Sequence, residues 1–284
     1  MEALANVHGE VVPLADAKVS VLDRGFLFGD AVYEVLRVYR GRVWLEHEHF
    51  QRLGHSLAAI RIGGVDLERL RQRMYQTLRA GSFGDALVYI QITRGASQPR
   101  KHAFPKDAVA SEVLWVQEFT DPYRQSREEG AKVITHADLR WHRCDIKSTN
   151  LLGNVLAMQA AVEAGAVEAL LYLADGTLTE GSHSSFFAVM DGALLTTPHQ
   201  DNILPGTTKG LVQRLAQKAQ VPVKEHRFKK QELPRAQELF LTGTTAEVLP
   251  IVRVEELVVA DGKPGPITRR LQQAFADEVR EFVK

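Results

Sequence analysis

The period of the hydrophobic pattern changes abruptly between Val32 and Ile60, and that change constrains the fold more than any other feature of the chain. From Val32 to Tyr39 the residues alternate, with Tyr33, Val35, Arg37 and Tyr39 on one face, as in a half-buried strand. Arg40-Gly41 turns the chain into Val43-Trp44-Leu45, so a β-hairpin is expected. Directly afterwards Phe50, Leu53, Leu57 and Ile60 recur at helical spacing, and residues 48–60 read as an amphipathic helix. Leu67, Leu70, Met74 and Leu78 mark a second helix ending near Gly81, and strands follow at 86–93 and 112–119. A chain that mixes the two periods in this way builds an α+β fold.

The strand pattern stops at Phe119-Thr120-Asp121-Pro122-Tyr123, a proline-containing connector that places a domain boundary there. The expected domains are 1–119, an N-terminal α/β domain, and 120–284, a C-terminal domain. The second opens with a strand at 132–135 and a helix at 150–164 that Gly165 terminates. Strands follow at 169–173, 185–190, 193–197 and 238–242, the middle two joined by the hairpin signal Asp191-Gly192. A terminal helix at 268–283 presents Leu271, Phe275, Val279 and Phe282 for packing.

With 284 residues and 45% hydrophobic content the chain can bury a sizeable core. Its 35 basic residues balance 35 acidic ones, so bulk electrostatics favours neither nucleic acid nor an acidic membrane surface as partner. No apolar run approaches the roughly 20 residues needed to span a bilayer. The N-terminus lacks a basic region followed by an apolar run, and Cys144, the single cysteine, has no partner for an internal disulfide. A cytoplasmic protein is therefore expected. Cys144 itself reads as a small apolar filler, and His47 and His49, without a further ligand cluster, give no reason to expect a metal.

Chemistry concentrates at 140–154, RWHRCDIKSTNLLGN, around Lys147. Flanked by Ile146 and followed by the stripe Leu151, Leu152, Val155 and Leu156, Lys147 is a candidate for a partly desolvated amine. Such an amine can form a Schiff base with an aldehyde. Most lysines are solvated surface charges, so the spacing alone does not decide between the two readings. Further on, Gly206-Thr207-Thr208 precedes Leu211, Val212 and Leu215 at helical spacing. Backbone N–H groups and the helix dipole there suit a phosphate, although threonine is also an ordinary N-cap. Gly25 and Gly29 bracket Phe26-Leu27-Phe28 and point to close backbone approach. The loop between the two N-terminal strands gathers Arg94, Arg100, Lys101 and His102, a cation cluster that by itself reads as a solvated loop.

Six ordered segments change these readings: DRGFLFGDAVYE (23–34), EHFQRL (48–53), RCDIKSTNLLGN (143–154), LTEGSHSSFF (178–187), NILPGTTK (202–209) and FLTGTTAEV (240–248). Together they resemble the fold-type-IV pyridoxal-phosphate aminotransferases, and within that group the D-amino-acid aminotransferases, over essentially the whole chain. The resemblance implies a two-domain architecture with the C-terminal domain carrying the cofactor lysine. It makes Lys147 the residue that holds pyridoxal 5'-phosphate and, once displaced by the substrate's amino group, the base that moves the α-proton. It assigns Arg52 to the phosphate, in place of a surface arginine, together with Gly206, Thr207, Thr208, Gly243 and Thr244. A serine hydroxyl stands in some relatives where Gly243 is here, which leaves that contact to the backbone or to Thr244. Glu180 is assigned to the pyridine nitrogen, and Tyr33, Arg100 and His102 to the substrate's carboxylate.

The implied reaction is transamination between a D-amino acid, D-alanine or D-glutamate, and a 2-oxo acid, 2-oxoglutarate or pyruvate, with ping-pong kinetics. A homodimer is likewise implied by the family. Branched-chain L-aminotransferases share the scaffold, but many carry a tyrosine five positions after the lysine, where this chain has Leu152. Aminodeoxychorismate lyases share it too, and nothing in the chain favours elimination from a bulky cyclic substrate. A non-catalytic vitamer-binding module would be favoured by loss of Lys147 or Glu180, and both are present.

Overall fold

The computed structural model describes residues 2–284. Its contacts divide the chain into two units: one holds the chain up to Thr120 together with Ile146–Asn150, and the other holds Asp121–Asp145 and Leu151–Phe282.

In the first unit the strands are β1 (Leu4–Val7), β2 (Glu10–Pro13), β3 (Ala31–Tyr39), β4 (Arg42–Val43), β5 (Ala86–Thr93) and β6 (Ser111–Glu118). They form one antiparallel sheet in the order β2-β1-β6-β5-β3-β4. Helices α1 (Arg24–Phe28), α2 (Glu46–Ala59) and α3 (Leu67–Gly81) accompany it. Val32, Leu36 and Val38 bury one face of β3 with Phe50, Leu53 and Leu57 of α2 and Leu70, Met74 and Leu78 of α3. This is the core that the change of period announced. On the other face of β3, Tyr33 stacks on Tyr89, ring centroids 5.5 Å apart, and Tyr89 stacks on Trp115 at 3.8 Å.

The segment Ile146–Asn150 belongs to this unit because its main chain joins β3. Ser148 bridges Val32, the Tyr33 N–H donates to the Lys147 carbonyl at 2.9 Å, and the Thr149 N–H donates to the Ala31 carbonyl at 3.2 Å. Ile146 enters the first unit's core. The residues between Asp23 and Gly29 form the short helix α1. Asp23 caps it by accepting from the Gly25 N–H at 2.7 Å, and Gly29 ends it with a left-handed φ of 63°. A Cβ on Gly29 would lie 2.4 Å from Asn150 Oδ1, so the expected close approach is real.

The second unit contains α4 (Arg124–Glu129), β7 (Ala131–Ala137), α5 (Leu152–Glu163), β8 (Glu168–Tyr172), β9 (Leu178–Gly181), β10 (Ser185–Met190) and β11 (Ala193–Thr196). After these come α6 (Thr207–Lys218), β12 (Val223–Glu225), β13 (Glu238–Gly243), β14 (Glu247–Val254), β15 (Leu257–Val258) and α7 (Pro266–Phe282). Its sheet runs β12-β11-β10-β13-β14-β7-β8-β9, with β15 paired to β14. The sequence reading passed over β14, whose Pro250 argues against a central strand. Pairing with β7 begins at Ile251↔Ala131, one residue beyond the proline, so the missing N–H falls outside that ladder. Among the described residues, no helix is long and apolar enough to cross a membrane.

The stripe that follows Lys147 is not covered within the chain: Leu152, Val155 and Leu156 are 72%, 57% and 53% exposed on α5. Helical spacing identifies residues that share a face, not what covers it.

Candidate active site

In the first unit Lys147 is half-buried and its main chain is held on both sides. Its N–H donates to Ser56 Oγ at 3.1 Å, its carbonyl accepts from Tyr33, and Ser56 is fully buried on α2. The Nζ lies 4.2 Å from the centre of the Tyr33 ring. The amine is thus placed against an aromatic face by two strand-like hydrogen bonds and a helix hydroxyl. Tyr33 and Lys147, separated by more than a hundred residues, are brought together.

Arg52 is 8% exposed and faces inward from α2. Its Nε donates to Glu34 Oε1 and its Nη2 to Glu34 Oε2, both at 2.8 Å. His49, one turn earlier, meets Glu34 Oε2 through Nδ1 at 2.7 Å. Burial alone would raise the Glu34 carboxyl, but the Arg52 charge and hydrogen bonds, with those of His49, outweigh it and hold the pKa at about 2. Sequence reasoning missed Glu34. It falls on the same face of β3 as Val32 and Leu36, where a carboxylate is tolerated only because α2 supplies two partners at i and i+3.

Arg100 and His102 gather around Phe28. The Arg100 guanidinium lies 4.4 Å from that ring's centre, and the His102 and Phe28 ring centroids are 5.2 Å apart. Tyr33 keeps the company of Lys147 and Tyr89, so the loop pair and the strand tyrosine have different neighbours within one chain.

In the second unit Glu180 is 5% exposed on β9. It accepts from Arg140 Nη1, and the Leu204 N–H lies 3.1 and 3.2 Å from its two oxygens. Arg140 is in turn fixed by Asp138, with Nε to Oδ1 at 2.9 Å and Nη2 to Oδ2 at 2.8 Å, and Thr179 Oγ1 donates to the same Oδ2 at 2.9 Å. Burial raises the Glu180 pKa; Arg140 and the Leu204 N–H pull against that shift without cancelling it. Arg140 and Asp138 were not singled out from the sequence. In RWHRCDIK one arginine reads like another until the fold buries it.

Leu204 also begins the run into α6. Gly206 is the N-cap of that helix and leaves its start without a side-chain cap. A Cβ on Gly206 would lie 2.6 Å from Ser185 Oγ, and one on Gly243 would lie 3.9 Å from Ser184 Cβ. The two small-residue loops therefore flank the same stretch of chain at the start of β10. Thr207 and Thr208 are buried, and beside Gly243 the hydroxyl of Thr242 is buried without a hydrogen-bond partner. A helix start with no side-chain cap, a glycine with no room for a side chain and an orphaned hydroxyl fit a phosphate group.

Lys209, in the first turn of α6, is 1% exposed and donates from Nζ to the Thr197 carbonyl at 2.7 Å. Burial lowers its pKa to about 8. Cys144 is buried as expected, and burial pushes its thiol up to about 12. Its Sγ donates to the Trp141 carbonyl.

A family model described as amino-transferase class IV matches residues 31–254. The chain belongs to that family, and the protein is an aminotransferase. Individual relatives narrow the comparison. The D-alanine aminotransferase of Staphylococcus epidermidis is 41% identical over 274 residues, 95% of each chain. That of Listeria monocytogenes is 40% identical over 282 residues, 98% of this chain and 96% of the relative. Among solved structures, the Escherichia coli branched-chain amino acid aminotransferase superposes with a TM-score of 0.92 at 26% identity, covering 98% of this chain and 94% of that one. A second branched-chain amino acid aminotransferase, solved with pyridoxamine 5'-phosphate, gives 0.91 at 27% identity, with the same coverage. The branched-chain aminotransferase of the archaeon Thermoproteus uzoniensis, solved with norvaline, gives 0.90 at 26% identity, covering 98% of this chain and 95% of that one.

Proposed function

We propose that this aminotransferase depends on pyridoxal 5'-phosphate and moves the amino group of a D-amino acid, D-alanine or D-glutamate, to 2-oxoglutarate or pyruvate. Identity near 40% with D-alanine aminotransferases, over nearly the whole chain, is the observation that carries this reading. Bound cofactor supplies an aldehyde for the amino group and a ring that accepts the electrons left by the α-proton. Lys147 would hold that aldehyde and move the α-proton; its main-chain hydrogen bonds to Ser56 and Tyr33 fix where its side chain starts. Glu180 would pair with the pyridine nitrogen, and Arg140, which donates to its carboxylate, would keep it in place. By the family resemblance, the start of α6 (Gly206, Thr207, Thr208), the turn Gly243-Thr244 and Arg52 would take the phosphate. Tyr33, Arg100 and His102 take the substrate's carboxylate, which fixes the direction left to the side chain.

The purified protein should be yellow, and borohydride should fix the cofactor to the peptide bearing Lys147. Attachment to any other lysine would overturn the assignment.

Branched-chain L-amino acids are the competing donors, since the scaffold is shared with enzymes that use them. Leu152 favours the D-amino acid, because it stands where many branched-chain enzymes carry a tyrosine. We also assign the exposed α5 face, Leu152, Val155, Leu156 and the 56%-exposed Val162, to a second copy of the chain. Sedimentation should show a dimer for the parent and a monomer for Val155→Glu/Leu156→Glu. A parent that sediments as a monomer would return that face to solvent. The cytoplasm is the compartment that a lone, buried thiol suits.

A further inference from the structure

Arg24 carries more interactions than a five-residue helix requires. It is 3% exposed at the start of α1. Its Nε donates to Asp30 Oδ2 at 2.8 Å; its Nη1 donates to the carbonyls of Lys101 at 2.6 Å and Ala103 at 3.4 Å; its Nη2 donates to the His102 carbonyl at 3.0 Å. Three consecutive carbonyls of a surface loop are thus gathered on one buried guanidinium, a planar fork whose geometry cannot follow the loop if it moves. Phe28, one turn further along α1, has Arg24, Arg100 and His102 against its ring.

The other end of this arrangement reaches the segment of Lys147. Asn150 Nδ2 donates to the Gly29 carbonyl at 2.9 Å and Thr149 Oγ1 to the same oxygen at 3.3 Å. Asp30 is shared with Arg94, whose Nε and Nη2 meet it at 2.8 and 3.0 Å and whose Nη1 and Nη2 also hold the carbonyls of Arg61 and Ile60. Asp30 is therefore fixed from two sides, and Arg24 is anchored to a rigid point.

We propose that Arg24 is a positioning residue for substrate recognition, fixing the main chain of Lys101–Ala103 so that Arg100 and His102 present their side chains in one place. The inference rests on the reading of Arg100 and His102 as the carboxylate-capturing pair. Arg24 touches no substrate. Its effect is on the distance and direction of two groups that do, and a displacement of about an ångström in such groups can cost up to ~100-fold.

The test compares Arg24→Gln, Arg24→Lys, Arg100→Ala and the double variant Arg24→Gln/Arg100→Ala, each as holoenzyme, with D-alanine, L-alanine and D-alaninol, which lacks the carboxylate. Arg24→Gln should raise the Michaelis constant for D-alanine roughly tenfold with a smaller change in kcat, and should narrow the preference for D- over L-alanine. Arg24→Lys, which keeps the charge at Asp30 but cannot span three carbonyls, should fold like the parent and show a reduced effect of the same sign. Reaction with D-alaninol should change little, and Arg24→Gln should add little in the Arg100→Ala background. If Arg100→Ala raises the constant and neither Arg24 variant does, the inference fails while the reading of the loop survives. If Arg100→Ala is silent, both fail. An equal loss with D-alanine and D-alaninol would make Arg24 a general structural residue and overturn the inference.

Discussion

Arg52 spans both oxygens of Glu34 at 2.8 Å, and the two side chains are 8% and 1% exposed. The arginine that the family resemblance assigns to a phosphate thus already neutralises a buried carboxylate. Removing it does two things at once. Arg52→Ala should cost about 3–5 kcal/mol of apoprotein stability, because Glu34 is left charged and buried. It should also weaken cofactor binding by ~1.5–3 kcal/mol if the guanidinium also meets the phosphate. Adding Glu34→Gln should restore part of the stability and none of the affinity. Urea unfolding and cofactor titration separate the two, and full recovery of affinity in the double variant would remove Arg52 from the phosphate site.

The same pair sets an acid limit. Glu34 is held at about 2, below its ordinary 4.5, so its contribution to stability is complete above pH 4.5 and is lost as pH falls through about 2. The stability difference between the parent and Glu34→Gln should shrink steadily as pH is lowered from about 5 toward 2. A constant difference across that window would mean that Glu34 titrates alike in the folded and unfolded chain.

These two residues mark what the sequence could and could not tell. The hairpin at β3, the strands at 86–93 and 185–190 and the helix ending at Gly81 were legible because alternation, helical spacing and turn residues agreed locally. Glu34 and Arg140 were not legible, because a charged residue in a strand or loop looks the same whether it is solvated or buried against a partner far along the chain. The roles proposed for Lys147 and Glu180 rest on the ordered motifs. Periodicity showed that Leu152, Val155 and Leu156 share a helix face but not what covers it, and those residues are exposed.

Arg140 should govern the charge on Glu180. Burial already raises that carboxyl, and loss of Arg140 removes the opposing cation. Arg140→Gln should therefore shift the acid limb of the activity profile to higher pH, with activity falling as pH drops and recovering in alkali. Superimposable pH profiles for the variant and parent would show that the Leu204 N–H is sufficient to hold Glu180 ionised.

Lys209 titrates with the opposite sign. Burial lowers its pKa from 10.5 to about 8, so the folded chain releases this proton first and bears the cost of burying the ammonium below pH 8. Stability of the parent relative to Lys209→Met should rise as pH increases from about 8 to 10.5 and level off beyond. Guanidinium unfolding across that range measures it; a flat difference would mean that the ammonium is as well solvated folded as unfolded.

The handedness of the substrate tests the account most directly. On the proposed reading Arg100, His102 and Tyr33 take the carboxylate and the α-hydrogen faces Lys147, so only one direction remains for the side chain. Purified holoenzyme given D-alanine, L-alanine or L-leucine with 2-oxoglutarate should form pyruvate rapidly from D-alanine and only slowly from L-alanine, and L-leucine should be a poor donor. Rapid turnover of L-leucine with D-alanine inert would contradict the D-amino-acid reading and assign the chain to branched-chain transamination.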